Sequence, residues 1–136
     1  MHFLRQNRKK QANEYAQDLL TQLIENERIA PGFGQCFGGT DLITDNIAKH
    51  LLNLEGAGPT LNWGHQFAQS IHHRELGWLP TGLAAAVFTD LGFQPKAGAT
   101  LFQLISSPGL AAHGLELANK PFTAMPYVHD KDYVIG

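Results

Sequence analysis

Seven histidines, one cysteine and a glycine-rich turn are the features of this 136-residue sequence best suited to binding or reaction. The turn is IAPGFGQCFGGTD, residues 29–41. Gly32 and Gly34 bracket Phe33, Pro31 fixes the approach, and Gly38 and Gly39 follow. Glycines in that arrangement let the backbone come close to a ligand. With no strand before them and no lysine after, they do not form a P-loop. Gln35, directly after the turn, can donate or accept hydrogen bonds but has no titrating proton. Cys36 could be a nucleophile if His50, or a histidine of the third helix, folds beside it; a lone buried thiol is the simpler reading. The histidine spacings do not build a metal site. His65 and His72 stand two helical turns apart, roughly 10 Å along the axis. The neighbours His72 and His73 point to different faces, and no HExxH or CxxC pattern occurs.

The elements that must position these groups are helices, and no stretch reads as a convincing strand. Ala12, Tyr15, Ala16, Leu19 and Leu23 recur at three- and four-residue steps, which predicts an amphipathic helix over about 6–26. Thr40 or Asp41 caps a second, about 41–54, with Ile43, Ile47, Leu51 and Leu54 on its inner face. A third runs over about 59–75 with Leu61, Phe67 and Ile71 inward. Thr81 can cap a fourth, 81–91, which is apolar nearly all round and therefore central. Pro95 opens a fifth, 95–105. SSPG breaks the chain, and a sixth helix follows over 108–119. The tail, 121–136, has two prolines and no period, and reads as an extended segment that docks on something, such as another subunit. The expected fold class is all-α, in one domain spanning 1–136.

Composition narrows the function classes. A net charge of −2 and a pI near 6.4 create no field that would recruit nucleic acid or anionic lipid. The basic group Arg5, Arg8, Lys9 and Lys10 reads as a solvated helix end. The longest apolar run, 83–88, is too short to cross a bilayer, and no signal peptide is visible. A single cysteine fits a reducing compartment, so the expected location is the cytoplasm.

Several segments resemble the citrate synthase and citryl-CoA lyase superfamily. ANEYAQDLLTQLIENERIAPGFGQ is similar to the helix and turn preceding that family's catalytic histidine, where the pattern is PGFGH or PGYGH. NLEGAGPTL resembles the linker of the lyase-like branch, and GLAAAVFTDLGFQP the helix after its catalytic aspartate. TLFQLISSPGLAAHGLEL is similar to its penultimate helices, and AMPYVHDKDYVIG to its closing tail. The likeness covers about 10–136 in collinear order. It implies a citrate-synthase-like small-domain helical array with an extended C-terminal tail, from two-domain dimers that bind an acyl-CoA. Coenzyme A or an acyl-CoA is then the expected ligand, not tightly held. Its adenine end would lie on the backbone of Ile29, Ala30, Pro31, Gly32, Phe33 and Gly34.

Carried over residue by residue, the family's chemical groups are replaced. The histidine after PGFG, which holds the carbonyl or enol oxygen, falls on Gln35. The aspartate that removes a proton from the acyl carbon falls on Thr81, or on Asn62 if GPTLN is aligned instead. The carboxylate-binding arginine of the DPR segment has no counterpart near Thr40 to Thr44, although Asp41 remains there. The second arginine falls on Ser106, which lacks the charged fork a di- or tricarboxylate requires. His113 reads as packing or capping. Losing one acid–base group costs about 10²–10⁴-fold in rate, and such groups act as a unit. The chain also begins where the last third of a full-length relative would begin. The resemblance therefore implies a partial subunit or CoA-binding module, either homo-oligomeric or paired with a polypeptide that supplies the missing large domain. The alternatives are a non-catalytic protein-interaction or regulatory module, or a split enzyme, an acyl-CoA C–C lyase or acyltransferase, active only with a partner large domain.

Overall fold

Aromatic and small side chains dictate how the helices meet. The computed structural model of the chain describes residues 1–9, 12, 16, 30–36 and 38–121. Its elements are α1 (His2–Asn7), β1 (Phe33–Gly34), α2 (Leu42–Leu52), α3 (Pro59–Ile71), a 3₁₀ turn (His72–Arg74), β2 (Gly77–Trp78), α4 (Pro80–Asp90) and α5 (Pro95–Ala118). The described chain is mostly helical, as the periodicity predicts. It divides into two compact units, Met1–Phe102 and Gln103–Gly136.

In the first unit the core is aromatic. Phe33 stacks on Trp78 at 4.6 Å and meets Phe67 edge-on at 4.7 Å, and Trp63 stacks on Phe67 at 5.3 Å. Such pairs contribute about 0.5–1.5 kcal/mol each beyond the area they bury. A Cβ on Gly64 would meet the Trp78 ring, so glycine there lets α3 lie flush against the indole. Leu61, Ile71 and Phe67 face inward as expected. α4 packs against α1, α2 and α3 and buries Gly82, Leu83, Ala86, Phe88 and Thr89, which agrees with a central fourth helix. Its last residue, Asp90, caps α3 from outside. The carboxylate accepts from Thr60 N–H at 2.9 Å and Leu61 N–H at 2.8 Å, where Gly58 has no side chain to do so. Arg8 donates to the buried Thr60 hydroxyl at 3.3 Å, so this member of the basic group is held by the core rather than solvated.

Several expectations need correction. A two-residue antiparallel ladder joins β1 to β2, with Phe33 opposite Trp78 and Gly34 opposite Gly77. Strands that short leave no periodicity to read. A short helix, His2–Asn7, lies ahead of most of the predicted 6–26 helix and turns at Arg8. Ala12 and Ala16 are helical and buried, and the rest of 10–29 lies outside the described residues, as does the tail from 122. α2 is rolled from its expected orientation by roughly 70°, at 100° per residue. Thr44 and Ala48 face inward, while Ile43, Ile47 and Leu54 are 74%, 48% and 51% exposed. Small residues let the helix axes approach more closely than a row of isoleucines would. α3 ends at Ile71, and the chain tightens to 3₁₀ before reversing at Glu75, whose φ is +60°. Leu79, not Thr81, occupies the N-cap of α4. Finally, α5 runs unbroken through Pro108 where a break between two helices was predicted. A helical proline removes one backbone hydrogen bond. Here the turn around it is exposed on all sides but Ser106, so water can satisfy the freed carbonyl.

A candidate ligand-binding turn

The glycine turn is pinned by its aromatic residue. Phe33 is 1% exposed, and its N–H bonds the Ala30 carbonyl at 3.0 Å, folding residues 30–33 into a tight turn with Gly32 at φ +90°. That conformation favours glycine. The Gly32 carbonyl then accepts from Leu79 N–H at 3.0 Å, at the N-cap of α4. Backbone meets backbone here. A Cβ on Gly32 would stand 2.6 Å from Gly82 Cα, and one on Gly82 would overlap the Gly32 carbonyl. The sequence PGFG thus closes onto the sequence PTG because both glycines lack side chains.

This contact decides where the predicted residues lie. Pro31 is exposed and Gly32 half-buried, so these two present surface from the turn. Ala30, Phe33 and Gly34 are buried, and the Phe33 ring belongs to the core. Ile29 lies outside the described residues. Thr81 is exposed in the first turn of α4, beside the Gly32–Gly82 contact, with no side chain capping the helix. Gln35 is exposed at the far end of the ladder, next to the Gly34–Gly77 pair, roughly 10 Å of extended backbone from Gly32. The junction therefore brings Gln35 and Thr81 to the two ends of one short strand pair. Both offer hydrogen-bond groups, and neither offers a proton acceptor at neutral pH.

Asp41 is the N-cap of α2. Its carboxylate accepts from Ile43 and Thr44 N–H, each at 3.0 Å, and from the Thr44 hydroxyl at 2.7 Å. The Thr44 hydroxyl, joined by the backbone N–H groups, holds its pKa below the ordinary carboxylate value. Asn62 is exposed on α3 and donates to the Gly58 carbonyl at 2.9 Å. Ser106 is half-buried in the portion of α5 that belongs to the second unit. In that portion His113 is 70% exposed and sits 3.9 Å from Glu116, a surface position rather than a packed one.

Two imidazoles gain roles that spacing alone did not reveal. His72 Nδ1 and the Thr40 hydroxyl share a hydrogen bond at 3.2 Å, which places a titratable ring where the glycine turn leads into α2. Cys36 pairs with Gly39 through backbone bonds at 2.7 and 3.2 Å, and its side chain is half-buried rather than buried. His65, on α3, has an Nδ1 enclosed with no hydrogen-bond partner among the described residues. Burial lowers its pKa, an effect that Lys49 adds to and Asp45 opposes. Among the described residues no group of three or more His, Cys, Asp or Glu could hold a metal ion. No described helix is long and apolar enough to cross a membrane. An apolar hollow of about 150 Å³, with Leu51, Leu54, Ala57, Leu61, Val87 and Leu91 in its wall, lies beyond the end of α2 and is too small for a whole nucleotide cofactor. Against known proteins the chain has no match, whether to a family profile, a curated protein or a solved structure.

Proposed function

We propose that this chain is a citrate synthase and citryl-CoA lyase-like domain that binds coenzyme A or an acyl-CoA without carrying out its own acid–base chemistry. The observation that supports it most directly is the closure of Gly32 on Gly82, which sets the PGFG turn beside the first turn of α4; there Leu79 N–H bonds the Gly32 carbonyl, Gly82 N–H bonds the Leu79 carbonyl, Pro80 has no N–H, and the Thr81 N–H is left for a ligand oxygen. Backbone N–H groups and the positive end of a helix dipole suit phosphate or carbonyl oxygens. Thr81 and Gln35 add hydrogen-bonding side chains at the two ends of the ladder. A threonine hydroxyl and an amide can orient an acyl oxygen but cannot take a proton from carbon. In this reading the chain works as a partial subunit. It acts either as a homo-oligomer or beside a polypeptide supplying a large domain, in a reducing compartment such as the cytoplasm.

Calorimetric titration with free CoA and acetyl-CoA, followed by assays with oxaloacetate or citryl-CoA, tests the proposal. Saturable binding without turnover is the expected result. Turnover by the isolated chain would overturn the roles given to Gln35 and Thr81. Absence of binding would favour the second reading, a protein-interaction or regulatory module. That reading draws on a different observation, the exposed apolar residues of α2 and α5.

A further inference from the structure

α2 is held on its neighbours by small buried residues and a row of polar contacts. Thr44 and Ala48 are buried, and Leu51 and Leu52 are half-buried against the core. Passing down α2, its polar partners run back up α3. Thr40 shares a hydrogen bond with His72 at 3.2 Å, Asp45 accepts from Gln69 at 3.4 Å, and Asp45 and Lys49 both act on His65. The floor beneath α2 is formed by α3, β2 and α4. Two polar atoms of that floor are enclosed with no hydrogen-bond partner among the described residues, Nδ1 of His65 and Nε1 of the fully buried Trp78. Enclosed polar atoms left unpaired favour any state in which water reaches them. Glycines of positive φ stand in open space on either side of α2, Gly38 at +82° and Gly56 at +95°. Backbone of that kind can turn without meeting a neighbour.

We propose that α2 is an acid-released flap: protonation of His65 lets it lift from α3 and β2 on hinges at Gly38 and Gly56, admitting water to Trp78. In the charged ring both nitrogens carry protons, so an N–H is forced into the enclosed Nδ1 position. The carboxylate that acts on this ring, Asp45, is already committed, one oxygen to Lys49 at 2.7 Å and the other to Gln69. Burial opposes ionisation of the ring, and the Lys49 ammonium adds a like charge. The open state therefore takes up the proton more readily, and acid draws the equilibrium toward it. The other histidine of the row does not act this way, because a charged His72 can donate from Nδ1 to the same Thr40 oxygen. Among the described residues, Gly77 and Trp78 of β2 bring no further charge to His65. α1 and α4 place theirs at the far end of α3, with Arg8 on Thr60 and Asp90 on Thr60 and Leu61. The inference stands apart from the CoA reading and does not need it.

Amide hydrogen exchange of the full chain at about pH 7.5 and about pH 5.5, each rate corrected for its intrinsic value, tests the proposal. Protection of the α2 amides is expected to fall by about three- to tenfold between the two, the range one histidine can supply over that interval. Protection in α3 is expected to hold. In His65→Gln the α2 amides should be protected equally at both pH values. Loss shared equally by α2, α3 and α4 overturns the flap, since the whole unit then opens together. α2 protection that does not change with pH, or a change that survives His65→Gln, overturns the trigger. The comparison of α2 with α3 is made in the wild-type chain, so it decides even where His65→Gln fails to fold.

Discussion

At the scale of single residues, chemistry and structure pull apart in an informative way. Asp41 and Thr81 look alike from sequence, as polar groups at helix starts, yet only the carboxylate caps its helix. A polar side chain at a helix start is therefore a site candidate only once its backbone bonds are accounted for. His65 shows the reverse, an imidazole of unremarkable spacing whose Nδ1 is enclosed. Burial holds its folded pKa below the ordinary histidine value of about 6.5. The unfolded chain thus binds the proton more readily than the folded one. The stability this ring contributes is fully present above the ordinary value and is lost as pH falls from there through the folded pKa. Wild-type protein should therefore lose melting temperature more steeply than His65→Gln between about pH 7.5 and pH 5.5. Parallel curves would remove His65 as the cause. The charged groups that act on it, Asp45 and Lys49, form an ion pair with one another at 2.7 Å.

At the scale of elements, the molecule depends on glycines that bring backbones together. The turn and α4 meet where Gly32 and Gly82 touch, and each side chain omitted is one the neighbouring backbone would exclude. Gly82→Ala should destabilise the fold by about 1–3 kcal/mol in urea denaturation, since the obstacle is main chain and cannot swing aside. The control is Gly109→Ala on α5, in open space, which should be neutral or stabilising. Equal effects would show that the closure does not hold the turn. Much at this scale was legible in advance. Five of the expected helical segments, the central place of the fourth, and the Thr40–Asp41 start of α2 followed from period and cap residues. The roll of α2 did not, because a helix with apolar residues on two adjoining faces does not say which one packs. Continuity through Pro108 did not either: proline ends a helix in sequence logic, yet it is tolerated where the lost bond faces solvent.

At the scale of the whole molecule, local positions of the site could be read from sequence, but their proximity could not. PGFG and PTG are some fifty residues apart, and they are joined by the ladder of Phe33 and Gly34 with Gly77 and Trp78, the Leu79–Gly32 backbone bond and the Gly32–Gly82 contact. A two-residue strand leaves no trace in hydropathy, so the sequence could point to a ligand-shaped turn but not to its other wall. The central claim, that an acyl-CoA is held at this junction, is tested most directly by amide NMR of the full chain as CoA is added. The amides of Gly32, Gln35, Thr81 and Gly82 should shift together and saturate at one concentration. A spectrum that does not move, or shifts confined to residues remote from the turn and the start of α4, would contradict it.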